Sequence, residues 1–462
     1  MTSSEIERRG LEGNVRRFIV FRLFYSARFY YPVFTVLFLD YGLSLEQFSI
    51  LNMIWAVTIV LAEVPSGALA DVVGRKRLVV FAAAIMVLEM LLILLAPMNS
   101  SWLLFLMFLG NRVCSGLSEA AASGADEALA YDSLKQLGRE EQWSALLEKN
   151  SVVMSIGFST AMILGAFVYD PAIVNGALGM LNSNWSLSEE TIIRLPVLLT
   201  LLSSLVVLVT ALGLYDLDKP QQDSSESTVQ ALAEDVQAMS SAFRQIIDAG
   251  RWTLGHRFVL FVILAALALD SVGRQFVVLA SEYWRAIEIP VSWFGFVGAG
   301  MSLLGIVNAR ISRYLVHHQS PLVNFLILSA ILLTGLTGLA LVIPYYGVIF
   351  AIGAFAMMSM VQYQSSFYIN REVDSAHRAT VLSFRGLALN LGLGLASLFY
   401  TGLVATLRSQ AERELSGEAL ENQVFEQSLI AFPFYYLLLF IGLLLAARLL
   451  VRNSKQFFRL PD

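Results

Sequence analysis

The sequence predicts an all-α membrane protein that crosses the bilayer twelve times, and three observations carry that expectation. Of the 462 residues, 57% are hydrophobic and only 15% charged, whereas a soluble chain carries roughly 25% charged residues. Too few polar groups remain to cover a water-facing surface. Apolar runs of about 20 residues, long enough for a helix to cross roughly 30 Å of hydrocarbon, recur along the whole chain. The Lys and Arg residues between those runs gather on one side of the alternation, as orientation in a membrane requires.

The expected spans are residues 18–39, 47–69, 78–96, 102–123, 151–169 and 195–214, then 258–280, 291–307, 322–343, 346–366, 380–407 and 429–450. They divide six plus six around residues 215–256, the longest polar stretch. The division predicts an N-terminal bundle over residues 1–214, a linker over 215–256 and a C-terminal bundle over 257–462. The linker opens on a run rich in Gln, Asp, Ser and Glu. It then carries Val229, Leu232, Val236, Met239, Phe243 and Ile246 at spacings of three and four. That spacing makes one apolar stripe, as on a helix lying along a surface. The first seventeen residues are polar, with Arg8, Arg9, Arg16 and Arg17, and no small-residue cleavage site follows the apolar run. The run therefore reads as a first span, not a removable signal. With the N-terminus cytoplasmic, 21 of the 31 basic residues are cytoplasmic, four (Arg194, Arg285, Arg408 and Arg413) lie opposite, and six sit inside spans. Both termini are thus expected in the cytoplasm.

Composition also excludes. A net charge of −5, spread thinly, gives no footprint for nucleic acid. One cysteine, Cys114, rules out a disulfide framework and a cysteine metal cluster. The four histidines, His256, His317, His318 and His377, fall in expected cytoplasmic segments, where solvation explains them better than a metal. No cofactor is expected. A membrane-embedded enzyme would need a converging nucleophile or metal set at membrane depth, and no such motif appears. Asn184-Trp185-Ser186 fits a glycosylation acceptor, which carries no meaning in a bacterial chain.

Between the second and third spans stands Gly67-Ala68-Leu69-Ala70-Asp71-Val72-Val73-Gly74-Arg75-Lys76-Arg77. In letters and in position this resembles the signature loop of the major facilitator superfamily, G-x-L-A-D-x-x-G-R-K/R. The corresponding place in the second half, Gly305-Ile306-Val307-Asn308-Ala309-Arg310-Ile311-Ser312-Arg313, is a decayed echo without the aspartate. Arg112-Val113-Cys114-Ser115-Gly116 resembles the superfamily's R-x-x-Q-G element, with Ser115 in place of glutamine. Glu63-x-Pro65-Ser66-Gly67 and Asp126-Glu127-x-x-x-Tyr131-Asp132-Ser133-Leu134 resemble a bacterial permease subgroup without an assigned substrate. The glycine-proline element of many drug–proton antiporters is missing from span five, where Gly157 and Gly165 have no adjacent proline. The resemblance implies two six-helix bundles around a central cavity, alternating access by rocking, and a cavity wall made by spans one, four, seven and ten. It also implies a gating role for Asp71, Gly74, Arg75 and Lys76, with Asp71 beside the start of span eleven near Thr380. There a carboxylate would meet the positive end of a helix dipole.

A charge at membrane depth is costly and needs a reason. Arg28 in span one, Arg112 in span four and Asp270 in span seven are near mid-depth on helices that the resemblance places at the cavity. Asp270 and Arg274 are four apart and can pair on one face. Arg112, Glu119 and Asp126 are spaced by seven, so on one continuous helix they share nearly one face. Arg28, Arg112, Asp270 and Arg274 are the expected substrate-facing set, and Asp270, Glu119 and Glu63 the expected proton-coupling set. Each has a static alternative. Arg28 and Arg112 can instead hold buried carboxylates, and Asp270 can stay paired with Arg274. Asp126 joins the gating set, although at the cytoplasmic edge it, Glu127 and Asp132 suit structural pairing with Arg75 or Lys76. Glu89, deep in span three, reads as structural. The aromatics of span one (Phe24, Tyr25, Phe29, Tyr30 and Tyr31) line a pocket or pack.

The functional expectation is a secondary active transporter, proton-coupled and working as a monomer in a bacterial inner membrane. It moves a small organic molecule with an anionic or zwitterionic group, since arginines outnumber acids near mid-depth. Export is placed ahead of uptake symport of an organic anion, and a receptor that kept the fold without transport stands further off. Its partners are the substrate, protons and lipid.

Overall fold

The first span is broken just before Pro32. Proline fixes φ and brings no N–H, and the helix α1 (Ser3–Ser26) stops before it. A 3₁₀ turn, Tyr31–Val33, follows, and α2 (Phe34–Asp40) completes the crossing. The single helix expected over 18–39 is therefore two helices with a non-helical break that contains Arg28. Such breaks persist at membrane depth only where protein or a polar cavity satisfies the freed backbone. Here the Phe29 N–H donates to Thr200 Oγ1 at 3.0 Å. The Thr35 and Val36 N–H groups, at the start of α2, both donate to Ser281 Oγ, at 2.9 and 3.2 Å.

The computed structural model describes residues 3–99, 101–181, 185–217, 244, 247–411 and 417–451, with a few side chains within them, Asp71's included, outside the description. The remaining helices are α3 (Leu45–Val72), α4 (Arg75–Leu94), α5 (Trp102–Ala122), α6 (Ala125–Gln136), α7 (Trp143–Tyr169), α8 (Pro171–Leu181) and α9 (Glu189–Leu212). After the linker come α10 (Arg257–Ala286), α11 (Phe294–His318), α12 (Pro321–Leu339), α13 (Val348–Glu372), α14 (Ser375–Gln410) and α15 (Glu418–Val451). Among the described residues ten of these segments are long and apolar enough to cross a membrane. The other two expected spans are the broken first one and α5, whose Asn111, Arg112, Ser115, Ser118 and Glu119 make it the more polar helix. The linker's expected stripe from Val229 to Ile246 lies outside the described residues, while residues 247–255 are helical.

Cα packing sorts the chain into two compact units. Unit 1 holds Met1–Val33, Thr58–Phe243 and Val291–Ala299; unit 2 holds Phe34–Val57, Arg244–Pro290 and Gly300–Asp462. Unit 1 is built around α4, which packs on α5 and α9. Its core pairs Phe21 and Met86 with the alanines 82, 83, 121 and 122. Lipid removes most of the hydrophobic drive between helices, so close approach over small residues takes its place. Gly165 of α7 shows the same device, because a Cβ there would collide with the Phe29 carbonyl at the break. Gly74 begins α4 with φ 97°, a region that side-chain-bearing residues avoid; the signature-loop glycine is thus a steric requirement of the turn. Unit 2 is built around α10, which is buried on nearly every face against α2, α13, α14 and α15. Its buried polar residues, Asp270, Gln275 and Glu282, therefore lie inside protein.

Candidate functional site

Among the described residues, each unit holds a charged cluster near the mid-depth of its spans. In unit 1 the break in span one turns Arg28 inward, where its side chain is 5% exposed and meets the fully buried Glu89 of α4 with Nη1 to Oε1 at 2.6 Å. Arg28 also donates to the Tyr30 hydroxyl at 3.3 Å, and its guanidinium lies 5.6 Å from the Tyr25 ring and 5.9 Å from that of Tyr31. Cations are attracted to such ring faces. Asn111 Nδ2 donates to the Glu89 carbonyl at 2.9 Å, and Arg112 Nε donates to Asn111 Oδ1 at 3.1 Å. The span-one aromatics therefore enclose a cation, and Glu89 is the countercharge that sequence reading had left without a partner. Its depth in span three was visible, but not the face it presents.

In unit 2, Asp270 and Arg274 of α10 form an ion pair at 2.7 Å, both side chains largely buried. The contact is electrostatic: Oδ2 lies close to Nη2 without the alignment of a hydrogen bond. Arg274 also donates to Asn390 Oδ1 at 3.0 Å and to the Leu389 carbonyl at 2.6 Å, both on α14. Arg385, one turn earlier on α14, donates to Ser365 Oγ and Gln362 Oε1 of α13, each at 3.0 Å. It is near enough to Asp270 to act on it electrostatically. Asn390, Gln362 and Ser365 were not singled out from the sequence; as neutral residues in apolar helices they carry no charge signal.

The third network joins the end region of span one to α6, which lies outside the spans and packs on α1. Arg22 reaches Asp126 at 2.5 Å and Glu127 at 2.6 Å, while Arg75 of the signature loop pairs with Asp132. Arg75 also donates to the Ala128 carbonyl at 3.4 Å. Asp126, set in the gating group from sequence, thus holds α6 to α1 through Arg22, and of the expected pairings with the signature loop the one seen is Arg75 with Asp132. Arg112 and Glu119 stay seven apart on α5, but Asp126 does not join their expected shared face. α5 ends at Ala122, and Gly124 with φ 77° turns the chain into α6. The spacing of seven held only for an unbroken helix. Glu119 ends up exposed while Arg112 and Asp126 are buried. Glu63, in α3, has a buried Oε2 without a hydrogen-bond partner. The Asp71 side chain lies outside the described residues. Among the described residues no three His, Cys, Asp or Glu side chains gather into a set that could hold a metal ion.

Burial pushes the Asp126 carboxyl up to about 6 even though Arg22 pulls it down. A raised folded-state value means that the stabilisation is present at low pH and lost as pH rises through about 6. The expected slope is at most about 1.4 kcal/mol per pH unit. Thermal unfolding between pH 4.5 and 8 should show that loss in the wild type and a flatter profile in Asp126→Asn. Parallel profiles would remove Asp126 as the cause.

Apolar helices in this order, with charged clusters inside the spans, define a polytopic helical membrane-protein fold. A family model described as Major Facilitator Superfamily matches residues 18–397. The chain belongs to that superfamily. Among solved structures it is similar to the nucleoside transporter NupG, at 13% identity and TM-score 0.63 over 94% of this chain and 99% of that one. It is similar also to a bacterial homolog of the human lysosomal transporter Spinster, at 15% identity and TM-score 0.66 over 98% and 99%. A D-xylose-proton symporter matches at 11% identity and TM-score 0.61 over 98% of each chain. These likenesses establish the fold. No curated protein matches the sequence.

Proposed function

We propose that the protein is a proton-coupled secondary transporter that moves a small organic molecule with an anionic or zwitterionic group by alternating access. The observation that carries this reading is the buried Asp270–Arg274 pair inside a span, with Arg274 shared between Asp270 and Asn390. Protonating Asp270 removes the charge that holds Arg274, while Asn390 and the Leu389 carbonyl keep the guanidinium solvated. The pair can therefore change charge without leaving Arg274 unbonded, as a coupling site requires.

Within this reading Arg112, Asp270 and Arg274 face substrate, and Arg28 does so when the substrate's anionic group displaces Glu89. Asp270 is the first proton carrier, with Glu119 and Glu63 as the others, and Asp71, Gly74, Arg75, Lys76 and Asp126 belong to the gate. The working frame is two bundles, 1–214 and 257–462, joined by 215–256, acting as a monomer in a bacterial inner membrane with both termini cytoplasmic. Export is the proposed direction. A proton symporter and a nucleoside transporter among similar structures support transport of a small polar molecule.

The test is flux in proteoliposomes across a panel of organic anions and zwitterions, with a pH gradient of either sign. Asp270→Asn is expected to abolish pH-driven accumulation and to retain substrate exchange, which moves no net proton. Full pH-driven accumulation in that variant would remove Asp270 from the coupling. The sign of gradient that drives accumulation reads the direction.

A further inference from the structure

Between α7 and α9 the chain runs from Pro171 to Ser188 without an Asp, Glu, Lys or Arg. Its first part is α8, which starts one residue after α7 ends. Asp170 makes the corner. Its Oδ1 accepts from the Ala172 and Ile173 N–H groups at 2.9 and 3.4 Å, and Pro171 takes the first helical position, where a missing N–H costs nothing. The corner holds α8 at the level where span five ends. Asn175 ties the return strand of chain to α8: its Nδ2 donates to the Leu187 carbonyl at 3.2 Å, and its Oδ1 accepts from the Leu187 N–H at 2.8 Å.

α8 is apolar, yet none of its residues is buried. Val174, Asn175 and Leu178 are half-buried on one face. On another, Ile173, Ala177, Met180 and Leu181 are exposed, Met180 to 90% and Leu181 to 78%; spacings of four, three and one put these four on one stripe. Its eleven residues rise about 16 Å, half of the roughly 30 Å hydrocarbon core, so α8 cannot cross. An apolar segment of this length is a core helix, a re-entrant segment or an interfacial one. Exposure excludes the core. A re-entrant path is disfavoured because residues 185–188 are non-helical and exposed, and lipid-exposed irregular backbone does not occur within hydrocarbon. Exposed apolar side chains continue onto both neighbours, at Ile156 and Leu164 of α7 and Leu198 and Leu202 of α9, the lipid-facing sides of those spans. Trp185, 57% exposed, is of the residue type that gathers at the membrane–water boundary.

We propose that α8 is an interfacial helix, with Ile173, Ala177, Met180 and Leu181 set in the boundary between lipid headgroups and acyl chains, and that it anchors the end of α7 to the bilayer surface. The partner is lipid of either headgroup charge. Without a Lys or Arg the segment has nothing to attract anionic lipid, and burial of apolar surface supplies the drive. The anchor is independent of what the protein transports and of which ion drives it.

Bromine quenching in nanodiscs tests it. Met180 is so exposed that its replacement disturbs no packing. In a Cys114→Ser background, Met180→Cys carrying a bimane label is reconstituted in phosphatidylcholine whose chains are brominated either near the headgroup or near the bilayer centre. Shallow bromines are expected to quench the label at least twofold and more than deep ones. Val174→Cys, on the half-buried face, and Glu190→Cys, at the start of α9, should be quenched less. Exchanging part of the phosphatidylcholine for phosphatidylglycerol should change nothing. Absence of quenching at Met180→Cys means that water or a second copy of the chain covers α8, and overturns the proposal. Equal or stronger quenching by deep bromines marks a re-entrant segment, and quenching that needs phosphatidylglycerol marks a charge-driven contact; either result overturns it too.

Discussion

Arg28→Met is expected to destabilise unit 1 by about 3–5 kcal/mol, the usual loss when one partner of a buried ion pair is removed. The cost arises on the residue left behind. Glu89 is fully buried, and its Oε2 already lacks a hydrogen-bond partner while Oε1 holds Arg28. Without the guanidinium, the carboxylate must stay charged in an apolar interior or take up a proton. Tyr25, Tyr30 and Tyr31, which surround the cation, lose their central partner as well. The double replacement Arg28→Met with Glu89→Leu should recover most of the loss, since apolar side chains of similar size often replace a buried pair at little cost. Thermal unfolding in detergent checks both, and a single variant as stable as wild type would defeat the static reading of the pair. Transport then separates structure from substrate contact. If the double variant is stable and still transports, Arg28 is a packing device. If it is stable and inactive, the guanidinium also serves the substrate.

That pair illustrates what the sequence reveals and what it hides. Twelve apolar runs, their division around 215–256 and the signature loop are readable because each is a local property of consecutive residues. The ionisable residues at depth were equally visible, Glu89 among them. Their partners were not. Pairing depends on which way a helix is rotated, and two features altered the rotation. A non-helical break at residues 27–30, just before Pro32, splits span one, and Arg28 within it meets Glu89 of α4. Gly124 ends the helix that would have aligned Asp126 with Arg112. A proline and a glycine in apolar segments signal a possible break, but the spacing argument assumed an unbroken helix. The polar neutral residues escaped altogether: Asn390 and Gln362 hold Arg274 and Arg385, yet nothing in their local sequence distinguishes them from packing residues. The pairing of Asp270 with Arg274 needed only the i, i+4 geometry of one helix and was legible for that reason.

Arg408→Gln is expected to release the segment Phe34–Val57 from the rest of unit 2. This segment contains α2 and the first turns of α3. Arg408, near the end of α14, donates from Nε and Nη2 to both oxygens of Glu46, at 2.5 and 2.9 Å. The same Nη2 reaches Glu421 of α15 at 2.7 and 2.8 Å. A planar guanidinium suits two carboxylates in this way and glutamine does not. A second arginine, Arg285 of α10, meets Asp40 at the end of α2 at 2.6 Å, and Ser281 holds the start of α2 through the Thr35 and Val36 N–H groups. Removing Arg408 leaves Glu46 facing Glu421 without a countercharge, so attraction becomes repulsion. Hydrogen bonds to charged groups are worth about 1.5–3 kcal/mol, and a loss of 1.4 kcal/mol is a tenfold shift in population. Ser49 is fully buried in α3, three residues from Glu46. In a background with the one native cysteine replaced by Cys114→Ser, a Ser49→Cys variant should react with maleimide at least tenfold faster when Arg408→Gln is added. The charge-swapped pair Glu46→Arg with Arg408→Glu keeps one arginine between two carboxylates and should restore slow labelling. Glu421→Gln should leave labelling slow, because Glu46 then holds Arg408 undivided. Equal reactivity with and without Arg408→Gln would mean that Arg285 and Ser281 alone hold the segment in place.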